Sequence, residues 1–324
     1  MALLVGIDLG GTNIKVGLLD HDARLLDQSS CRTEVEKGFH HVIEQMAAAV
    51  RNLCERNGAS LDSLRAVGVG CPGPVDVRQG VVTIAPNFPG WRDLPVRDTL
   101  RRRLGGRPTF IENDANATAY GEFRAGAGRG CRSLVLVTLG TGIGCGIVID
   151  GQVRRGETFT AGELGHVIVR AAGRRCGCGR YGCLEAYASA TGTVARFREA
   201  VAEGRGSLLI ERGMKKEEVT ARDIFEAAAD GDALAWEIVD ETARYLAIGC
   251  DIVVNLIDPD VIVFSGGMTA AGDLLMKPVD KYARELFFAG PKNHTRLMLT
   301  ELGADAGVMG AALCALNESE TSAS

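Results

Sequence analysis

The sequence of 324 residues predicts an α/β protein built from two related lobes. Short apolar runs with strand character alternate with segments of helical periodicity, an order typical of α/β domains. An apolar strand, a Gly/Thr turn and a returning apolar strand near the N-terminus recur after a shift of 130 residues. Three identities accompany the shift: Leu9 with Leu139, Gly10 with Gly140, and Asp20 with Asp150. The sequence therefore predicts two lobes that each open with a hairpin.

The strands and helices follow in a regular order. In the first half we expect strands at 5–8, 14–19, 24–32, 66–70 and 110–112, and helices at 39–56 and 117–125. In the second half we expect a hairpin at 133–138 and 144–150, a strand at 261–264 and a frayed tail at 317–324. Helices are expected at 186–203, 221–229 and 306–316, and a long helix runs from Leu234 until Asp258-Pro259 stops it. Apolar residues at helical spacing mark the helices, and glycine-rich turns separate the strands.

Composition excludes several classes of protein. The net charge of −5 argues against a general nucleic-acid binder. No apolar run approaches the roughly 18 residues of a membrane span, so no membrane partner is expected. The apolar segment 3–7 is interpreted as a first strand, not as a signal peptide, which predicts a cytoplasmic protein. Ten cysteines are too few for a disulfide scaffold of this length, and in a reducing compartment they stay free or bind metal.

The first glycine-rich turn is a candidate phosphate site. Two adjacent glycines let backbone N–H groups approach phosphate oxygens, and a threonine hydroxyl adds a donor. Asp8, at the end of the strand, could hold Mg²⁺ directly or through water. The candidate residues are Asp8, Gly10, Gly11, Thr12, Asn13 and Lys15. The alternative is a plain Gly-Gly hairpin without a ligand.

The same chemistry recurs in the second half. Gly140, Thr141 and Gly142 occupy the equivalent turn, and Gly266 and Gly267 follow a buried strand. Two such turns at matching positions support each other as phosphate sites. The Gly266-Gly267 pair could leave room for the base or sugar of a nucleotide. The alternatives are a glycine-rich hairpin and an ordinary strand-to-helix turn.

A polar cluster, Glu112-Asn-Asp-Ala-Asn116, follows an apolar strand and opens a helix. Ligands of open α/β sheets bind at the carboxyl ends of strands. A carboxylate at this position can accept a proton from a hydroxyl group, so Asp114 is a candidate general base. The alternative is that Asn113 or Asp114 only caps the helix.

One histidine and three cysteines form a candidate metal site with the spacing H-x₉-C-x-C-x₄-C. The ligands are His166, Cys176, Cys178 and Cys183. Four soft ligands suit tetrahedral Zn²⁺ and leave no open position, which indicates a structural ion. Glu163 and Glu185 flank the set and could be presented rigidly by it. The alternative is a reduced loop without metal.

These motifs, taken together and in this order, resemble the ROK family of sugar kinases. The resemblance extends from Asp8 to about Leu316. It implies a two-lobed actin/hexokinase-like (ribonuclease H-like) ATPase fold with a cleft between the lobes. Residues 1–115 would form a small lobe completed by the C-terminal helix at about 304–318. Residues 116–303 would form a large lobe with an inserted zinc loop at 166–183.

The resemblance also implies an activity and residue roles. Two segments, Thr160–His166 and Cys183–Ser189, resemble the bacterial branch that phosphorylates the 6-hydroxyl of glucose with ATP and Mg²⁺. Asp114 matches the catalytic base of the family. The two glycine-rich turns and Gly266/Gly267 match its nucleotide-binding segments, and the cysteine cluster matches its zinc site. Matches to sugar ligands are Gly73, Asn87, Asn113, Asp114, Glu163, His166 and Glu185. A homodimer or a dimer of dimers is implied.

Other functions remain open at this stage. The sugar could be N-acetylmannosamine, N-acetylglucosamine, mannose, allose or fructose, and polyphosphate could replace ATP. A sugar-responsive repressor is disfavoured because such relatives carry an extra N-terminal DNA-binding segment, whereas the first strand here starts at residue 3. A sugar-binding protein without catalysis is disfavoured because Asp114 and both glycine-rich turns are present.

Overall fold

A computed structural model describes residues 3–85, 88–288 and 294–321, and it has the predicted α/β class. The strands are β1 (Leu3–Leu9), β2 (Asn13–Leu19), β3 (Leu25–Arg32), β4 (Leu64–Cys71), β5 (Val75–Asp76), β6 (Val81–Ile84), β7 (Arg92–Leu94), β8 (Thr109–Asn113), β9 (Ser133–Leu139), β10 (Ile143–Ile149), β11 (Gln152–Val153), β12 (Val261–Ser265) and β13 (Arg296–Leu299). The helices are α1 (Phe39–Arg56), α2 (Val96–Arg103), α3 (Asp114–Ala125), α4 (Glu185–Ala188), α5 (Ala190–Ala202), α6 (Leu208–Glu211), α7 (Ala221–Ala229), α8 (Ala233–Ile257), α9 (Asp273–Leu286) and α10 (Ala306–Thr321).

The internal repeat is confirmed by two five-stranded sheets. Their strand orders are β3-β2-β1-β4-β8 and β11-β10-β9-β12-β13. The strand pair β1/β2 and the strand pair β9/β10 are related by a shift of 130 positions at every boundary, and β1 and β9 have the same pattern of buried residues. A small third sheet has the order β5-β6-β7.

The first sheet has a parallel centre with an antiparallel flank. Strand β1 pairs in parallel with β4, which pairs in parallel with β8, while β2 runs antiparallel to β1. Strand β1 is buried along most of its length because it lies inside the sheet. Helix α1 presents one apolar face to this core, and its buried residues follow helical spacing: Val42, Ile43, Met46, Val50 and Leu53. The parallel strands therefore end at one edge of the sheet.

The chain folds into two compact units. Unit 1 comprises residues 1–136, 146–161 and 300–324, and unit 2 comprises residues 137–145 and 162–299. This division places 116–136 and 146–161 with the N-terminal residues, whereas the sequence assigns them to the large lobe. For helix α3 the reason is packing within unit 1, because α3 lies so close to α10 that a Cβ at Gly310 would overlap the carbonyl oxygen of Ala117.

Three predicted boundaries are wrong. The predicted helix at 186–203 is two helices, because Ser189 adopts an extended conformation and caps α5 by accepting the N–H of Gly192. Helix α3 begins at Asp114, three residues before the prediction. Helix α10 continues to Thr321, so residues 317–321 are helical instead of frayed. The sequence does not predict helices α2, α6 and α9, strands β11 and β13, or the small third sheet.

In the described part of the chain, none of the helices combines the length and the apolar character that crossing a bilayer requires.

Candidate active site

The carboxyl ends of three parallel strands bring the first set of predicted residues together in unit 1. Asp8 of β1 lies opposite Gly70 of β4, and Cys71 lies opposite Asn113 of β8. The edge where parallel strands end is where ligands of open α/β sheets bind. Asp8, predicted from the first turn, and Asn113, predicted from the polar cluster, therefore lie at the same sheet edge.

Asn113 caps helix α3 and also connects two other predicted residues. Its Oδ1 accepts the N–H of Asn116 at 3.1 Å, which is the capping role foreseen as an alternative. Its Nδ2 donates to the carbonyl of Gly73 at 3.1 Å and to Oδ1 of Asp114 at 3.0 Å. The cap therefore fixes the positions of Gly73, Asn113 and Asp114 relative to one another. Asn87 lies outside the described residues.

Asp114 combines solvent access with a perturbed acidity. Its side chain reaches solvent, yet the surrounding protein desolvates the carboxylate and raises its pKa to about 6. The hydrogen bond from the N–H of Ala115 to Oδ1, at 2.8 Å, opposes the shift, and the nearby charge of Asp8 adds to it. A carboxylate with a pKa close to neutrality is suited to accept a proton at physiological pH.

The first glycine-rich turn leaves its backbone accessible. The N–H of Gly10 donates to the carbonyl of Asn13 at 3.1 Å, and Gly11, Thr12 and Asn13 are exposed. Burial raises the pKa of Asp8, and the charge of Lys15 opposes this shift. Close by, a Cβ on Gly307 would lie 3.1 Å from a carboxylate oxygen of Asp8, and Lys15 Nζ donates to the carbonyl of Ala304 at 3.3 Å. The sequence did not indicate that the segment entering α10 lines this turn, because nothing local marks it.

The second turn and the Gly266-Gly267 pair lie together in unit 2. The N–H of Gly140 donates to the carbonyl of Gly142 at 3.0 Å, and the N–H of Ala190 donates to the carbonyl of Gly140 at 2.9 Å. Gly266 has a φ of +96°, and a Cβ there would lie 2.5 Å from the carbonyl oxygen of Leu139. Only glycine permits both this backbone conformation and this close approach.

A cavity of about 850 Å³ opens beside these glycines, within unit 2. Gly140, Thr141, Gly267 and Met268 line one part of it. The remaining lining comes from helix α7 with its cap Thr220, the start of α9 with the segment before it, and Ala190: Ala190, Thr220, Ala221, Arg222, Phe225, Glu226, Ala229, Ala270, Ala271 and Leu274. The sequence did not single out α7 as part of a site. Its only local signal is the capping box of Thr220 and Asp223, which indicates where a helix starts, not what it faces.

The four predicted metal ligands converge in unit 2. One donor atom from each of His166, Cys176, Cys178 and Cys183 lies within 4.8 Å of all the others. Cys176 Sγ is 3.7 Å from His166 Nδ1, and Cys178 Sγ is 3.7 Å from Cys183 Sγ. Tetrahedral zinc–thiolate bonds place two sulfurs about 3.8 Å apart, so these distances and the donor types fit zinc.

Glu163 and Glu185 both lie next to this cluster. Glu163 Oε2 is 4.0 Å from His166 Nε2, the ring nitrogen that faces away from Cys176. Glu185 Oε1 is 3.5 Å from Cys176 Sγ, and its Oε2 accepts the N–H of Ile143 at 2.9 Å. Glu185 therefore joins the cysteine cluster to the second glycine-rich turn.

Comparison with known proteins identifies the family of the chain. A sequence model described as ROK family matches residues 4–318. The chain belongs to the ROK family. A relative from Thermotoga maritima named glucokinase is 37% identical over 95% of this chain and 96% of its own length.

Solved structures and other relatives extend the comparison. A ROK family glucokinase from Streptomyces griseus, in complex with glucose and AMPPNP, superposes with a TM-score of 0.82 and 36% identity, covering 97% of this chain and 99% of the other. Its fold is the two-lobed sugar-kinase fold that the sequence predicts. A xylose repressor from Bacillus subtilis is 28% identical over 94% of this chain and 75% of its own length.

Proposed function

We propose that this ROK-family chain is an ATP-dependent glucokinase, which converts glucose and ATP to glucose 6-phosphate and ADP. The observation that carries the proposal is Asp114, an accessible carboxylate with a pKa of about 6 at the carboxyl end of β8, held by Asn113. The high similarity to glucokinases over almost the whole chain supports the choice of substrate and donor.

Asp114 would act as the general base of the transfer. The hydrogen bonds from the N–H of Ala115 and from Asn113 Nδ2 both end on Oδ1, so we assign Oδ2 to the proton of the sugar 6-hydroxyl. As that proton moves to Asp114, O6 attacks the γ-phosphorus of ATP. The O6–P bond forms, the bond to the bridging β,γ-oxygen breaks, and ADP leaves with the electron pair. Phosphoryl transfer needs mainly positioning and charge stabilisation, which fixed backbone groups provide.

The two glycine-rich turns would hold the phosphates. In unit 1 we assign Gly10, Gly11, Thr12, Asn13 and Lys15 to this task, since the turn exposes its backbone. In unit 2 we assign Gly140, Thr141 and Gly142. Asp8 is the residue that would hold Mg²⁺, whose charge neutralises the phosphate oxygens when it is bound.

The 850 Å³ cavity of unit 2 would take the nucleoside. It adjoins Gly140 and Gly267, and its wall is formed largely by small and apolar side chains such as Ala221, Phe225 and Ala271. A mainly apolar cavity with a few polar groups at its rim is typical of a site for a planar base. Because Gly266 has no side chain, it would leave room for the nucleotide beside its backbone.

Side chains and backbone segments that can bind hydroxyl groups would recognise the sugar. Asn113 and the segment at Gly73 serve this task in unit 1, and Asn87 remains a prediction from the sequence. In unit 2 the groups are Glu163, His166 and Glu185, which lie around the cysteine cluster. His166 Nε2 faces away from the cysteines, so it is the nitrogen that would contact a sugar hydroxyl.

Zinc would be held by His166 Nδ1 and the three cysteine sulfurs. The converging donors support this assignment. When bound, the ion supplies a rigid cross-link of the loop that carries Glu163 and Glu185, and no open position for chemistry. A homodimer or dimer of dimers, a cytoplasmic location and the lack of a nucleic-acid partner remain predictions from the sequence.

The test is a phosphorylation assay over a sugar panel. Purified protein is incubated with ATP, Mg²⁺ and each of glucose, mannose, fructose, allose, N-acetylglucosamine and N-acetylmannosamine, and ADP release is followed. Coupling to glucose 6-phosphate dehydrogenase reports phosphorylation at the 6-position of glucose. We expect the highest kcat/KM with glucose. A higher value with another sugar, or turnover with polyphosphate alone, would contradict the assignment.

A further inference from the structure

A buried carboxylate lies directly before the catalytic segment. Glu112, the last residue but one of β8, is 3% exposed. Its Oε1 accepts the N–H of Asn113 at 3.0 Å and the side-chain N–H of Asn116 at 3.1 Å. Because Asn113 Oδ1 in turn accepts the backbone N–H of Asn116, the three residues form a closed hydrogen-bonded ring. In the sequence, Asp114 falls between Asn113 and Asn116, two members of this ring.

The other oxygen of the same carboxylate meets an arginine. Arg155 Nε lies 2.6 Å from Glu112 Oε2, and Arg155 Nη2 lies 2.8 Å from Glu318 Oε1. Arg155 follows strand β11, and Glu318 lies in helix α10, so the guanidinium connects three separate elements of unit 1. Exposure of the side chains rises along the chain of contacts, from 3% at Glu112 through 22% at Arg155 to 36% at Glu318.

Burying the charges of Glu112 and Arg155 has a desolvation cost, so stability alone does not explain this ion pair. A buried charge must be paired and hydrogen-bonded, and apolar side chains of the same volume often stabilise a protein as well or better. Here two hydrogen bonds to Glu112 hold Asn113 and Asn116, which lie on either side of Asp114 in the sequence, and the bond from Arg155 fixes the carboxylate itself. Rigid support for a catalytic group is what fixes it in a productive geometry.

We propose that Glu112 and Arg155 are positioning residues for phosphoryl transfer, which hold Asn113 and thereby Asp114 in a productive orientation. This inference rests on the proposed kinase function. Neither residue is assigned a contact with the reacting atoms, and the planar guanidinium of Arg155 lets one side chain bind both Glu112 and Glu318. The orientation of the base thus depends on helix α10.

The experiment compares Arg155→Met, Arg155→Lys and a matched control. Arg65→Met is the control, because Arg65 Nη2 binds Glu320 of the same helix α10 at 2.9 Å. Arg65 itself lies at the amino end of β4, whereas Cys71, which lies opposite Asn113, is at the carboxyl end. We expect Arg155→Met to lower kcat at least tenfold and to leave the KM for ATP within twofold of the wild type. Arg155→Lys should recover at least threefold in kcat, since it restores one charged bond. Arg65→Met should keep kcat within twofold.

Several outcomes would overturn the inference. One is that Arg155→Met has the same kcat as the wild type, when the amount of folded protein is measured by near-ultraviolet circular dichroism. Another is an equal loss of kcat in Arg65→Met. If Arg155→Met does not fold, Arg155→Lys and Glu318→Gln decide: kcat lowered severalfold at a near-normal Tm supports the inference, and normal kcat in both overturns it. A wild type without activity on any sugar overturns the kinase function itself, whereas an active wild type with insensitive Arg155 variants overturns only the positioning role.

Discussion

Glu185 Oε2 accepts a hydrogen bond from the backbone N–H of Ile143 at 2.9 Å. The same carboxylate approaches Cys176 Sγ at 3.5 Å through Oε1. One side chain thus links the cysteine cluster, which flanks the proposed sugar ligands of unit 2, to the turn assigned to phosphate. The link is possible because position 142 is glycine: a Cβ at Gly142 would overlap Glu185 Oε2.

Gly142→Ala should therefore impair activity more than folding. The added methyl group displaces the end of a flexible side chain, which costs little stability, but it breaks the bond between Glu185 and Ile143. We expect kcat/KM for glucose to fall about tenfold, which corresponds to about 1.4 kcal/mol, with a small change in Tm. Gly206→Ala is the control, since its added Cβ would meet only Glu211 Oε1 at 3.9 Å. Equal kinetics in the two variants would contradict the link.

Asp114→Asn should abolish turnover while sparing sugar binding. The amide keeps Oδ1, the atom that accepts the N–H of Ala115, so the local structure is retained. It cannot accept the hydroxyl proton, and loss of a general base typically costs roughly 10²–10⁴-fold. Steady-state kinetics and calorimetric titration with glucose measure the two effects. Asp62→Asn, at a surface residue, is the control. Near-normal turnover would remove Asp114 as the base.

The pH dependence should follow the raised pKa of Asp114, about 6 in the folded chain against an ordinary value of 3.8. The base must be ionised, so kcat/KM should fall about tenfold per pH unit below pH 6. A plateau extending unchanged to pH 5 would disagree with this assignment.

The same raised pKa has a consequence for stability. The native state binds this proton more tightly than the unfolded chain, so the stabilising contribution is fully present below pH 3.8 and is lost as the pH rises through 6. Asp114→Asn cannot ionise, so its Tm should exceed that of the wild type by more at pH 8 than at pH 5. Differential scanning calorimetry at both pH values measures this difference. A difference that does not change with pH would argue that the pKa of Asp114 is not raised.

One zinc ion per chain should be found by elemental analysis of purified protein. Cys178→Ser removes a ligand and should lower both the zinc content and the Tm, because a structural ion contributes to folding. Cys31→Ser is the control, since Cys31 lies on β3 in unit 1, outside the cluster. Zinc content near zero in the wild type would contradict the proposed ion.

Ala271→Trp should block the nucleoside cavity. Ala271 lines the cavity of unit 2, and an indole ring would occupy the space assigned to the base. We expect the KM for ATP to rise at least tenfold and the affinity for glucose in a binding titration to stay unchanged. An unchanged KM for ATP would show that the nucleoside binds elsewhere.

Much of this site could be predicted from local sequence. The hairpin repeat is predictable because apolar alternation and glycine turns are local signals, and the structure places both hairpins at the expected shift of 130. The H-x₉-C-x-C-x₄-C spacing is predictable because metal ligands within one loop are local too, and their donor atoms converge. The predicted helix boundaries are less accurate. The predicted helix 186–203 is divided at Ser189, because its side chain accepts the N–H of Gly192, and helix propensities averaged over a segment do not detect a single hydrogen bond.

Local sequence patterns alone single out the candidate groups: the two glycine-rich turns, Asp114, and the histidine and cysteines. The contacts that support these groups become visible only in the folded chain. Arg155 reaches Glu112 across 43 positions and Glu318 across 163, and Glu185 reaches the backbone of Ile143 across 42. Such pairs leave no periodic pattern, because their partners meet only when sheets and helices pack, and a backbone N–H has no side-chain identity to read. The candidate residues are therefore recognisable from short sequence motifs, whereas the contacts that orient them depend on long-range packing.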